Sequence, residues 1–254
     1  MTESAKHRIL LAICVVAIIA TGLAPRIPQD PAYHQFADDN ALLAIPNALN
    51  VMTNLLFIWI GLLGLNRLVR QKSLRIETKI HGAYLLFFAA LILIGLGSAY
   101  YHWSPDNQSL TLDRLPITVA FMSFFTILIG ERISPALARS VFPLLLFAGV
   151  ATIVYWHYSE LTGRGDLRPY ALVVFLPALL TPVFLLMYRS RYDRSGDIWW
   201  FLAWFLVSKL CELMDREIYE WLVVISGHSL KHIATSIGCF VFLRHLQLRR
   251  QLET

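Results

Sequence analysis

Eight apolar stretches divide this 254-residue chain, and each is long enough, or nearly so, to cross the hydrocarbon core of a bilayer. Backbone polar groups find no water in hydrocarbon, so a segment that crosses it must be a helix or part of a closed barrel. Stretches of this length predict an all-α fold, a polytopic transmembrane helical bundle. The predicted spans are Arg8–Leu23, Asn47–Leu68, Ile80–His102, Leu115–Ile133, Val141–Tyr158, Tyr170–Tyr188, Ile198–Met214 and Leu230–Leu246.

The composition supports a single membrane bundle. Charged residues make up 15% of the chain and the mean hydropathy is +0.57, whereas a soluble domain carries about a quarter charged residues. The basic residues that raise the pI to about 9.2 are dispersed among short connectors, so no nucleic-acid partner is predicted. Cys14, Cys211 and Cys239 fall within apolar stretches, where packing is the expected role.

The distribution of basic residues predicts the orientation. With the N-terminus inside, fifteen Lys and Arg residues fall on the inner side and four in outer loops, which places both termini in the cytoplasm. Lys6 and Arg8 precede a short apolar core as in a signal peptide, but the exit of this segment at Pro25 lacks a small-x-small cleavage site. We therefore expect an uncleaved anchor.

Three histidines are predicted to meet near the outer face. His228 and His232 lie one helical turn apart at the start of the last span, and His102 ends the third span at matching depth. Ionisable groups are costly in a membrane, so a cluster at one depth indicates a function. Three imidazoles with an open fourth position are the ligand set of a catalytic zinc site. The pattern predicts an integral membrane zinc hydrolase.

Two further polar residues lie at that depth, and each has two interpretations. Ser98, one turn before His102, is by itself more typical of helix packing, although a hydroxyl could also stabilise an oxyanion. Asp113 could cap the fourth span or shuttle a proton to and from a metal-bound water. These two roles of Asp113 are compatible.

Other polar patterns are interpreted as structural. Asn47, Asn50 and Asn54 recur at helical spacing in the second span, where hydrogen bonds between helices are favoured over pocket lining. In the seventh span, charged side chains spaced by three and four residues predict a buried ion network, with a proton relay as the alternative. Its members are Lys209, Glu212 and Arg216, and Asp215 adds a further charge nearby.

At these residues the chain resembles the alkaline ceramidase family, within the seven-span membrane hydrolases that include adiponectin-type receptors. The matching motifs are Gly97-Ser98 with His102, Leu112-Asp113 with Leu115-Pro116, His228 with His232, and Asn50 with Asn54-Leu55. The resemblance implies that His102, His228 and His232 bind zinc and that Ser98 and Asp113 assist catalysis. It implies a seven-span core at residues 47–254, preceded by an extra N-terminal span and outer loop at residues 1–46.

The resemblance has two departures. Eukaryotic members bind calcium through an acidic N-terminal loop that ends in a glutamate, and Asn47 stands in that position here. Asp38, Asp39 and Asn40 could replace only part of the loop, which weighs against a calcium site. Residues 33–54 and 226–232 are more similar to bacterial members, which implies a bacterial cytoplasmic membrane; the resemblance does not define the natural substrates of these members.

The leading hypothesis is hydrolysis of the amide bond of a ceramide-like membrane lipid to a fatty acid and an amine. A lipid esterase on the same zinc site is the alternative within enzymes. Two alternatives are not hydrolases: a receptor or transport protein with structural zinc, and a bis-histidine haem protein. The sequence does not define the head group or the oligomeric state.

Overall fold

The computed structural model describes residues 1–252 and contains no strand within that range, which confirms the all-α polytopic bundle. Short 3₁₀ turns cover Pro31–His34 and Thr78–Ile80, and a π-helical turn covers Asn66–Arg70. The helices are α1 (Glu3–Leu23), α2 (Ala48–Met52), α3 (Leu55–Leu65), α4 (His81–Trp103), α5 (Asn107–Arg132), α6 (Pro135–Leu161), α7 (Arg168–Met187), α8 (Gly196–Leu213), α9 (Asp215–Leu222) and α10 (Gly227–Leu248).

Six of the described segments are long and apolar enough to cross a membrane, so the protein is an integral, multi-pass membrane protein. They are Glu3–Leu23, Ala48–Arg70, Thr78–Trp103, Asn107–Arg132, Pro135–Leu161 and Arg168–Met187. The last two predicted spans correspond to α8 and α10, which pack against each other. Their crossing of the bilayer, and therefore the count of eight spans, stays a prediction.

Helix α1 lies at the periphery of the bundle. It packs on α7, and Leu10 is its only buried residue, so most of its apolar side chains face outward as expected in hydrocarbon. Arg168, at the start of α7, donates to the carbonyls of Thr21, Gly22 and Ala24 at the end of α1. A cation at a helix C-terminus is stabilised by the free carbonyls and the helix dipole. The division at residues 46 and 47 stays a prediction.

The start of α5 differs from the prediction. The helix begins at Asn107, eight residues before Leu115, because Asp106 and Ser109 form a capping box. The hydrogen bond from the Ser109 backbone lowers the pKa of Asp106. Asp113 therefore lies in the second turn of α5, and its interpretation as a helix cap is wrong.

Close packing of α4 on α5 brings Ser98 and Asp113 to the wall of one cavity. Pro116 has no N–H to donate to the Leu112 carbonyl, so this carbonyl lacks its bond within the helix. Gly97 lies against that carbonyl, where a Cβ atom would overlap it. The proline-glycine pair thus lets two adjacent helices approach closely, and Ser98 and Asp113 line the same cavity.

Candidate metal centre

Three buried histidines converge from two helices. His102 lies in the last turn of α4, and His228 and His232 occupy the first two turns of α10. One potential ligand nitrogen from each histidine lies within 4.8 Å of the other two. Their exposed fractions are 1%, 5% and 4%, respectively. The predicted convergence of these side chains is therefore present in the structure.

The chemistry of this donor set fits a metal ion. The Nδ1 atom of His102 and the Nε2 atom of His228 are buried and have no hydrogen-bond partner among residues 1–252. Buried polar atoms without partners are costly and uncommon in folded proteins. Three neutral imidazoles, two of which have such an unpaired nitrogen, can bind Zn²⁺ and leave a fourth position open.

Thr53 fixes the orientation of one imidazole. Its hydroxyl donates to the Leu49 carbonyl at 2.7 Å, so its oxygen can accept from Nδ1 of His232, which lies 3.0 Å away. This arrangement leaves Nε2 of His232 free to bind a metal ion. In metal-bound histidines the other ring nitrogen usually makes a hydrogen bond of this kind, which sets the tautomer and the ring orientation.

The loop before α10 is held by Asp215. Its carboxylate accepts from the His228 backbone N–H at 2.7 Å and from the Ala37 N–H at 3.2 Å. Gly227 packs directly on the Cys211 carbonyl and the Asp215 backbone, where a Cβ would overlap both. The start of α10 is therefore anchored to the end of α8 and to the segment between α1 and α2, which is named the outer loop after its predicted side of the membrane. The sequence suggested only that Asp215 was a charge near the predicted ion network.

Phe36 covers the histidines from the outer loop. Its ring centroid lies 4.6 Å from that of His102 and 5.1 Å from that of His228. An aromatic ring over the imidazoles limits the access of water from this direction. Sequence reasoning missed Phe36, because a single aromatic residue in a loop carries no periodic signal that would place it over a site.

Two of the three asparagines of the second span make hydrogen bonds to other segments, as the favoured interpretation predicted. The Asn47 side chain donates to the His102 backbone carbonyl at 2.8 Å, and the side-chain oxygen Oδ1 of Asn50 accepts from the Ser229 hydroxyl at 2.7 Å. Asn54 differs, because it donates to the Asn50 backbone carbonyl of its own span at 2.7 Å. The bonds of Asn47 and Asn50 tie the second span to both helices that carry the histidines.

The acidic segment of the outer loop forms a hydrogen-bonded turn. Asp38 is buried, and its carboxylate accepts from the backbone and the side chain of Asn40 at 3.2 and 2.9 Å. Its backbone carbonyl accepts from Asn50. Asp38 thus helps to fold the loop over the site, while the expectation against a calcium site stays a prediction.

A cavity of about 670 Å³ adjoins the histidines. Three of the five predicted site residues, His232, Ser98 and Asp113, line it, whereas His102 and His228 are not among its lining residues. Most of its surface is apolar and aromatic. Residues of this type include Phe57, Phe87, Leu91, Ile94, Ile117, Phe121, Phe124, Val174, Phe201 and Phe205.

Charged residues cluster on one part of the cavity wall. Glu212 accepts hydrogen bonds from Lys209 at 2.6 Å and Lys231 at 3.0 Å. The predicted network is therefore correct for Lys209 and Glu212 but wrong for Arg216, which is exposed. Lys231 replaces it because α10 packs along α8, a contact that spacing within one helix could not predict. Tyr33 donates to the same carboxylate, and loss of hydration raises its pKa, so it remains a neutral donor.

Comparison with known proteins agrees with this geometry. The family model described as Ceramidase matches residues 42–254, which include every helix after α1 and all five predicted site residues. No curated protein sequence matches the chain. The match covers the whole bundle except the first helix and most of the outer loop. The chain therefore belongs to the ceramidase family.

Proposed function

We propose that this protein is a zinc-dependent hydrolase that cleaves the amide bond of a ceramide-like lipid to a fatty acid and an amine. The observation that supports this most is the buried histidine cluster, with two unpaired ring nitrogens, beside a cavity whose surface is largely apolar. Membership of the ceramidase family supports the same substrate class.

The proposed zinc ligands are His102, His228 and His232. When bound, zinc supplies a Lewis acid for the amide carbonyl and lowers the pKa of a bound water to about 7. Asp113 accepts the proton of the attacking water and returns it to the leaving nitrogen. Ser98 donates a hydrogen bond to the oxyanion of the tetrahedral intermediate. A C–O bond forms, the C–N bond breaks, and the proton leaves on the amine.

The cavity suits a substrate that stays in the membrane. Its polar wall holds Asp113, Glu212 and Lys231, while aromatic and aliphatic side chains line the remainder. Ligand sites that are mostly apolar with a few convergent polar groups bury hydrophobic molecules efficiently. An acyl chain would lie along the apolar part, and the amide would lie beside Ser98 and Asp113.

The direct test is fatty-acid release by purified protein from a matched amide and ester pair with the same acyl chain. Zinc-dependent release from the amide, lost after chelation and restored by added zinc, is expected. Release from the ester alone would favour the esterase alternative. Stoichiometric zinc without turnover of either lipid would favour a receptor or transport protein, and a Soret band would indicate haem.

We also propose that both termini are cytoplasmic and that the metal centre lies toward the outer face of a bacterial cytoplasmic membrane. The support is the bias of basic residues to one side. In a background without Cys14, Cys211 and Cys239, an impermeant thiol reagent should label Gln108→Cys in intact cells. Ser73→Cys should react only after lysis. Both positions are exposed, so reversed labelling would invert the topology.

A further inference from the structure

Arg114 differs from the two other cations that line the cavity. It is 6% exposed, lines the cavity, and its Nη1 atom is buried without a hydrogen-bond partner among residues 1–252. No ion pair to it forms within that part of the chain. By contrast, Lys209 and Lys231 share Glu212. A buried guanidinium with free donors calls for an acceptor, and residues 1–252 do not provide one.

The surroundings of Arg114 fix the guanidinium while leaving its hydrogen-bond donors available. Its central carbon lies 4.5 Å from the Trp156 ring centroid, 5.0 Å from Tyr170 and 5.4 Å from Tyr33. Aromatic faces attract a cation through their quadrupole, but they do not accept hydrogen bonds in the guanidinium plane. Tyr33 and Tyr170 also line the cavity, so this aromatic cage opens onto it.

The net charge of this wall is positive, which favours the binding of an anion. Three cations, Arg114, Lys209 and Lys231, line the cavity together with two carboxylates, Asp113 and Glu212. Glu212 already bonds to both lysines. Arginine presents parallel N–H donors that match the oxygens of a phosphate, sulfonate or carboxylate group.

We propose that Arg114, held by Tyr33, Trp156 and Tyr170, binds an anionic group on the head of the lipid substrate. This inference rests on the proposed function and specifies its substrate class, an amide lipid with a negatively charged head group. Arg114 follows Asp113 in α5, and its cage comes from the outer loop, the end of α6 and the start of α7. The head group would therefore lie at this polar wall, while the acyl chain occupies the apolar part of the cavity.

The test compares a short-chain ceramide with its 1-phosphate ester, in both binding and hydrolysis. Dissociation constants are measured by tryptophan fluorescence in neutral detergent on zinc-depleted protein, so that turnover does not affect them. We expect wild-type protein to bind the phosphate ester at least about tenfold more tightly, as charge-assisted hydrogen bonds allow. Arg114→Gln should remove this preference, and Arg114→Lys should retain part of it. The ratio of kcat/KM for the two lipids should change in parallel.

The matched control is Arg216→Gln, which removes an exposed cation from α9 and should leave the ratio unchanged. A fatty acid without a head group is the third ligand; if Arg114→Gln weakens its binding as much, Arg114 binds the released carboxylate and the head-group proposal is wrong. No preference in wild-type protein would also overturn the proposal, whether or not the variants fold. Tighter binding of the phosphate ester without hydrolysis of either lipid would refute the proposed function and leave the Arg114 site intact.

Discussion

Two buried polar clusters lie at opposite ends of α10, about 30 Å apart along a helix of this length. The cluster at the C-terminal end is saturated. Arg249 donates to both Glu131 oxygens at 2.6 and 2.8 Å, Tyr84 donates to the same carboxylate, and the Tyr192 ring lies 3.8 Å from the guanidinium. His245 accepts from Arg249 at 3.1 Å through Nε2.

The cluster at the N-terminal end contains unpaired groups. His102 and His228 each retain a buried nitrogen without a partner among residues 1–252, and so does Arg114. A saturated buried network stabilises one conformation, whereas unsatisfied buried donors and acceptors are costly unless a ligand completes them. Burial and polarity alone do not distinguish the two ends of α10. The two ends differ in whether their buried polar atoms have hydrogen-bond partners among residues 1–252.

The largest expected contrast comes from deleting a histidine at each end. His228→Ala should lose zinc and reduce activity by at least about 10³-fold, because two ligands hold the ion poorly and the reactive water depends on it. His245→Ala should retain about one zinc per chain. Elemental analysis of purified protein, alongside fatty-acid release, provides the measurement. Full zinc occupancy in His228→Ala would disprove the assignment of this ligand.

Asp113→Asn should lower kcat by about 10²–10⁴-fold while zinc content and thermal stability are retained, because an amide cannot accept the proton. Asp106→Asn on the same helix is the matched control. Asparagine caps helices as well as aspartate does, so this variant should be fully active. Normal turnover by Asp113→Asn would exclude Asp113 as the base.

Arg249→Ala should affect stability instead of the zinc site. Removing the arginine leaves Glu131 as a buried carboxylate without its partner, a change that typically costs about 3–5 kcal/mol. Thermal unfolding in detergent should show a lower transition, while the folded fraction keeps its zinc. Arg250→Ala removes a neighbouring exposed side chain and should unfold like wild type. Loss of zinc from folded Arg249→Ala protein would show that the two ends of α10 depend on each other, which would contradict this prediction.

The smallest expected effect concerns Thr53. Thr53→Val removes the oxygen that accepts from His232 and should weaken zinc affinity by about 10–100-fold, the usual effect of losing such a contact. Thr126→Val, which removes a hydroxyl bonded only to its own helix, is the control. Competition with a zinc chelator gives the affinities. Equal affinities for the two variants would show that Thr53 does not orient the ligand.

Much of the fold could be predicted from the sequence, because hydrocarbon imposes one rule on every residue that crosses it. Long apolar stretches must form helices to pair their backbone groups. The same rule makes polar residues in such helices rare, so His102, His228 and His232 could be identified as a group at one depth. The boundaries were less accurate: the capping box at Asp106 starts α5 at Asn107, eight residues before the predicted start at Leu115.

The tertiary structure decided everything that depends on contacts between distant segments. Three contacts join residues up to 192 positions apart: the pairing of Glu212 with Lys231, the position of Phe36 over the histidines and the hydrogen bond from His232 to Thr53. Local periodicity gives the face of a helix on which a residue lies, but not its partner on the next helix. The sequence alone therefore determined which polar residues share a membrane depth. Only packing determined which of them are satisfied by the protein and which are left for a ligand.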